Sequence, residues 1–138
     1  MSQENVEVVR RVIDGRRIDV TEPEVPEAFV GRLDPEIEFE EDPSFPEAGL
    51  YHGRSEVLRY FKNFTASFEQ FVFEVEDMKV AGGDGVLVCF RQSGRGEGSG
   101  AEFDFQSAWL FTVRDDRVLR IRSYLDQTEA LEAAGLSE

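Results

Sequence analysis

The sequence predicts an α+β domain in which helices cover one face of an antiparallel sheet. Three observations carry that prediction. Apolar residues recur at helical spacing early in the chain, at Val6, Val9, Val12 and Ile13 and again at Val57, Leu58, Phe61, Phe64 and Phe68. From Phe71 onward the period drops to two. Turn residues then separate one strand from the next, without the strand–helix alternation of a parallel sheet.

Residues 2–17 read as the first helix. Ser2 or Asn5 can cap it, and Glu4, Glu7, Arg16 and Arg17 suit its dipole. Pro26 is placed as the first residue of a short helix over Glu27 to Leu33, which Asp34-Pro35 stops. Glu36 to Glu40 alternates as a strand with one apolar face. Asp42 to Tyr51 reads as a loop because it holds Pro43, Pro46 and Gly49. From Asp34 to Glu47 there are seven acids and no base, a pattern that reads as a solvated rim. Ser55 opens the next helix, whose bulky stripe reads as core laid over the sheet. Strands follow from Phe71, over Val86 to Ser93, over 101–113 and over 117–126, with turns at Gly82 to Gly85 and Asp115-Asp116. Gly94 to Gly100 reads as a flexible connection and lacks the Lys-Ser/Thr ending of a phosphate loop. Thr128 to Ala134 closes the chain as a short helix with Gly135 at its capping position.

The 138 residues read as a single domain over 1–138, with no repeat or linker. The formal net charge of −14 opposes nucleic acid and anionic membrane surfaces. No apolar run approaches the roughly 20 residues needed to span a bilayer. The polar, acidic start Met1 to Asn5 does not read as an export signal, so the expected location is cytoplasmic. One Cys and one His give no structural metal set. Cys89 lies in an apolar run and reads as a small core residue.

A pocket wall is sought in the last hairpin. With Asp115-Asp116 as a two-residue turn, Val113 opposes Val118, Phe111 opposes Arg120, Trp109 opposes Arg122, Ser107 opposes Tyr124 and Phe105 opposes Asp126. One face then mixes Trp109, Phe105, Phe111 and Tyr124 with Arg120, Arg122 and Asp126, as a pocket wall does. The other face is small and mainly aliphatic. The plainer alternative has Arg120 and Arg122 facing water and paired with acids.

Several strings resemble a known family. Glu4 to Arg11 resembles the first helix of the SnoaL-like proteins, members of the nuclear transport factor two-like superfamily that also holds ketosteroid isomerases, limonene epoxide hydrolase and scytalone dehydratase. Leu33-Asp34-Pro35-Glu36-Ile37-Glu38-Phe39 is similar to the family's Leu-Asp-Pro-Asp-Val-Glu-Trp run. Tyr51-His52-Gly53-Arg54 resembles its Tyr-x-Gly-Arg/His turn, Gly94 to Glu102 its glycine-rich hairpin, and Tyr124-Leu125-Asp126 the end of its last strand. The resemblance implies a cone: a strongly curved antiparallel sheet wrapped around helices, with a pocket at the wide end. It also implies a homodimer paired through the sheet and no cofactor.

The resemblance gives Asp126 the position of a pocket carboxylate. An apolar cavity would raise its pKa, and neighbouring Arg122 would lower it again. The expected catalytic pair is therefore Asp126 and Arg122. Trp109, Tyr124, Tyr51, His52 and Phe105 are the expected ligand-binding set. Trp109 stands where many relatives carry His, and residues 14–33 are Pro-interrupted where relatives have a longer helix. The expected function is a cofactor-independent isomerase, cyclase, dehydratase or hydrolase acting on a small apolar molecule. The alternative is a non-catalytic binder of an apolar or carboxylate ligand, with Trp109 as stacking wall and Arg122 as anion anchor. A purely structural dimerisation module would have no cavity.

Overall fold

The computed structural model describes residues 2–45 and 47–136. Among the described residues, four helices accompany a seven-stranded sheet in the order β1-β4-β5-β6-β7-β2-β3. The sheet is curved and unclosed, and β2 pairs with β7 in parallel. The α+β class is as the sequence predicts.

Helix α1, Ser2–Ile13, ends four residues earlier than expected. Asp14 at φ 57° and Gly15 at φ 113° turn the chain out of the helix. Arg17 to Asp19 then forms edge strand β1 against β4, so Arg17 is not in a helical last turn. The side chain of Ser2 lies outside the described residues; Asn5 lies within α1 and its Nδ2 donates to the Gly83 carbonyl at 3.2 Å. Helix α2, Glu24–Gly31, begins before Pro26. That proline still falls in the first turn, where its missing N–H costs nothing.

Strand β2 is only Glu38–Glu40, because Glu36 and Ile37 donate to Asp34 in a turn after Pro35. Strand β3, Leu50–His52, falls at the end of the expected loop and pairs with β2. Gly53, at φ 86°, starts helix α3, Arg54–Thr65. The long strands are β4 (Phe68–Ala81), β5 (Gly85–Gly96) and β6 (Glu102–Arg114), followed by β7 (Arg117–Tyr124). Bulges at Phe68/Gln70 and Val75/Asp77 interrupt the β4–β5 ladder, and bulges bend a strand and increase its twist. The expected flexible connection from Gly94 is instead strand through Gly96. A Cβ on Gly94 would sit 2.0 Å from the Gln70 carbonyl oxygen, so glycine here permits close approach of backbones.

The main core lies between the concave face and helices α1–α3, with Phe39, Phe71, Phe90, Phe111, Leu33 and Ile37 fully buried. Helix α4, Gln127–Ala133, covers part of the outer face, packing Ala130 over Leu87, Cys89, Ala108 and Tyr124. Gly135, at φ 75°, ends it as expected. Among the described residues no helix is long and apolar enough to cross a membrane.

Candidate functional site

The last hairpin does turn through Asp115-Asp116, both at positive φ. A bulge then inserts Leu119 on β7, and the register beyond it moves by one residue. Thr112 faces Arg120, Phe111 faces Ile121, Leu110 faces Arg122, Trp109 faces Ser123 and Ala108 faces Tyr124. A one-residue slip exchanges the two faces of a strand. The expected mixed wall is therefore divided: Trp109 and Phe111 look inward with Ile121 and Ser123, while Arg120, Arg122 and Tyr124 look outward.

Each expected residue has a definite place. Trp109 is 7% exposed and is the hub of the aromatic interior, with ring centroids 5.3 Å from Phe73 and Phe90 and 5.4 Å from Phe39. Phe105 is half-buried inside, at the other end of the interior, near Phe45. Tyr51 stacks on Tyr60 at 4.5 Å and donates to the Glu47 carbonyl at 2.6 Å. His52 lies on the surface, 3.2 Å from Glu36. Tyr124 packs in the outer cluster under α4, and Arg122 covers its ring at 5.0 Å while approaching Glu40 at 3.8 Å.

Asp126 requires correction. It is exposed and caps α4, its Oδ1 accepting from the N–H of Thr128 at 2.8 Å. Asp126 and Trp109 share no hollow. The cap signature Asp-x-Thr-Glu explains the position: a carboxylate ahead of a short helix satisfies N–H groups that have no intrahelical partner.

A different carboxyl occupies the interior. Glu41 is 8% exposed. Its Oε2 accepts from the Tyr60 hydroxyl at 2.5 Å and its Oε1 from the backbone N–H of Asp42 at 2.9 Å. Burial pushes its pKa above the ordinary glutamate value, against the lowering effect of Ser123, Tyr60 and the Asp42 N–H. The neighbouring Asp42 is also buried, yet its pKa falls below the ordinary value. Burial acts to raise it but is outweighed by N–H donors at Leu125 and Ser44, each 2.8 Å away, and by the Arg122 charge. Adjacent carboxyls are thus driven in opposite directions, one toward holding its proton and one toward giving it up. Tyr60 is held in its protonated form by burial and by the Glu41 charge.

The acidic run is therefore not wholly a solvated rim. The missed signal was parity: Ile37, Phe39 and Glu41 fall on one face at period two, and the first two are fully buried. Tyr60 stands three residues from Val57 and four from Phe64, on the buried face of α3, and so belongs to the stripe that helical spacing marks.

Glu41, Tyr60, Ser123, Gln92 and Trp109 border a hollow of about 20 Å³, enough for about one water. Gln92 donates to Ser107 beside it. A cavity of about 310 Å³ lies between α1, β1, α2 and the sheet and shares Trp109 and Phe73 with the hollow. A second cavity of about 200 Å³, walled by Phe45, Phe64, Phe68, Phe71, Phe103 and Phe105, meets the hollow at Phe45, Tyr60 and Phe64. Among the described residues no group of His, Cys, Asp and Glu could hold a metal ion.

The model of the SnoaL-like domain matches residues 6–121. Sequence comparison with curated proteins gives no match. A nuclear transport factor two-like protein from Burkholderia thailandensis is similar at 22% identity, with 94% of this chain and 95% of that one covered and a TM-score of 0.75. A Jannaschia sp. protein provisionally named a SnoaL-like polyketide cyclase is similar at 21% identity, with 99% and 94% covered and a TM-score of 0.74. A protein of the same fold from Burkholderia pseudomallei gives 12% identity, 94% and 95% coverage and a TM-score of 0.73. Identities this low speak to the fold alone. The family match spans most of the sequence, and the chain belongs to the SnoaL-like family.

Proposed function

We propose that the chain is a cofactor-independent small-molecule enzyme in which Glu41, not Asp126, is the interior acid/base. The reaction class is isomerisation, cyclisation, dehydration or hydrolysis of a small apolar molecule. The observation that carries the reading is a single one: a carboxyl 8% exposed, held by Tyr60 in an aromatic hollow, with its pKa raised by burial. A base whose pKa lies nearer the working pH is both available and strong enough to take a carbon-bound proton. In a β,γ-unsaturated ketone admitted by widening of the one-water hollow toward the adjoining 200 Å³ cavity, the Glu41 carboxylate would take the proton between carbonyl and alkene. The electrons pass to the carbonyl oxygen as a dienolate, and the same carboxyl returns the proton to the γ carbon. Tyr60 acts as a positioning residue through its bond to Glu41.

The test uses cyclohex-3-enone, which gives the strongly absorbing conjugated isomer. Wild type is expected to accelerate the conversion and Glu41→Gln to lose that acceleration at unchanged fold, judged by circular dichroism. Equal rates in the two proteins would remove Glu41 from the chemistry.

A second reading is a non-catalytic binder. It is favoured by the wall of Trp109 and Phe73 between the 310 Å³ cavity and Glu41. Its ligand would stack on Trp109, the only Trp in the chain, so saturable quenching without product would support it. An anion-anchoring role for Arg122 has no support, since that side chain faces outward. Homodimerisation through the part of the outer face left free by α4 belongs to either reading, and sedimentation equilibrium tests it.

A further inference from the structure

We propose that the 310 Å³ cavity takes a small organic cation, a quaternary or protonated amine on an apolar body. The inference deepens the second reading above and rests on the cavity being a ligand pocket; it does not involve Glu41. Its floor is aromatic. Phe29, Phe73 and Phe90 surround Trp109 at centroid distances of 6.0, 5.3 and 5.3 Å, and all four line the cavity. Ring faces are the negative ends of their quadrupoles and attract a desolvated ammonium group.

The charged rim points the same way. Asp14, Asp19, Glu22 and Glu24 line the cavity against Arg17 and Arg32, four negative groups to two positive. Arg32 is already committed, to the Val12 carbonyl at 3.3 Å and to Asp14 at 3.4 Å. Arg17 stands opposite Glu74 in the β1–β4 ladder. Glu22 and Glu24 are exposed and make no ion pair among the described residues. A chain of net charge −14 adds a field of the same sign. A carboxylate guest would meet aromatic rings and acids and would lose its hydration with little return. A neutral guest gains from the floor but not from the rim.

The experiment compares three probes of nearly the same shape: choline, its neutral isostere 3,3-dimethylbutan-1-ol and the anion 3,3-dimethylbutanoate. Each competes with 1-aminoanthracene, a neutral fluorescent probe, and Trp109 fluorescence is followed in parallel. Choline is expected to bind at least about tenfold tighter than the alcohol, with the carboxylate weakest. Added salt should weaken choline and leave the alcohol unchanged. The double variant Glu22→Gln/Glu24→Gln, changed only at exposed positions, should lose several-fold in choline affinity and nothing for the alcohol. If 1-aminoanthracene enters but the alcohol or carboxylate equals choline, the cation inference falls and the pocket reading survives. If no probe of any charge enters, both fall.

Discussion

Glu41→Gln changes the pH dependence of stability in a direction that can be worked out beforehand. Glu41 is buried, and its native pKa is raised above the ordinary glutamate value. In the window between the unfolded and the native pKa, the native state binds more protons than the unfolded chain. The slope of stability against pH is then negative, so wild type loses stability as pH rises through that window. Each unit of pKa displacement is worth about 1.4 kcal/mol once the window is crossed.

Glutamine has nearly the same volume and does not ionise. Its Oε1 can keep the Asp42 N–H, while its Nε2 meets the Tyr60 hydroxyl, which must rotate to accept. At low pH, where both side chains are neutral, that rearrangement should cost about 0.5–1.5 kcal/mol. Above the window, wild type carries a buried carboxylate and the variant does not, so the deficit shrinks or reverses. Asp42 contributes the opposite slope, since its pKa is depressed and its stabilisation is lost as pH falls through its native value. That slope is present in both proteins, and the difference between them retains only its coupling to the Glu41 charge, which vanishes in the variant. Urea titrations across the acidic to neutral range measure the difference directly. Parallel curves, or a wild type that gains on the variant as pH rises, would refute a buried, proton-retaining Glu41.

Asp126→Ala removes the α4 cap and should lower stability by about 0.5–2 kcal/mol in urea titration; no loss would mean that the cap does not form. At Gly94→Ala the added Cβ would lie 2.0 Å from the Gln70 carbonyl oxygen and 2.9 Å from Phe103. Such overpacking should cost about 1–3 kcal/mol. Gly83→Ala, where a Cβ meets nothing within 4 Å, should stay within about 0.5 kcal/mol and serves as the control. Equal melting temperatures for the two alanine variants would overturn the reading of Gly94 as a close-approach position.

What was legible in the sequence was what periodicity encodes. The stripes of α1 and α3, the hairpin turn at Asp115-Asp116 and the terminal helix before Gly135 are local patterns, and each element is present where expected; α1 stops short at Ile13, and Phe68, expected at the end of the α3 stripe, instead opens β4. What was not legible depended on partners distant in sequence. Strand β1 is three residues long and exists because Glu74, Phe73 and Val72 lie beside it. Strand β3 likewise exists because β2 offers it an edge. Residues 42–51 show no strand period of their own, and their Pro and Gly content reads as loop.

The site was misplaced by a smaller cause. An ideal two-residue hairpin carries Trp109 opposite Arg122, and the inserted Leu119 moves Trp109 opposite Ser123. Nothing in Arg117-Val118-Leu119-Arg120 marks that insertion, because Val118, Leu119 and Ile121 are apolar on either register. The selection is energetic and lies in the whole ladder. With the bulge, Ile121 is fully buried and Ser123 nearly so, while Arg120 and Arg122 reach Glu40 at 2.9 and 3.8 Å. Without it, two guanidinium groups would enter an interior already crowded with aromatic rings. Burying an unpaired charge costs several kcal/mol, far more than one irregular ladder step. The same preference excludes Asp126 from the interior and admits Glu41, because Tyr60, Ser123 and a backbone N–H meet it there.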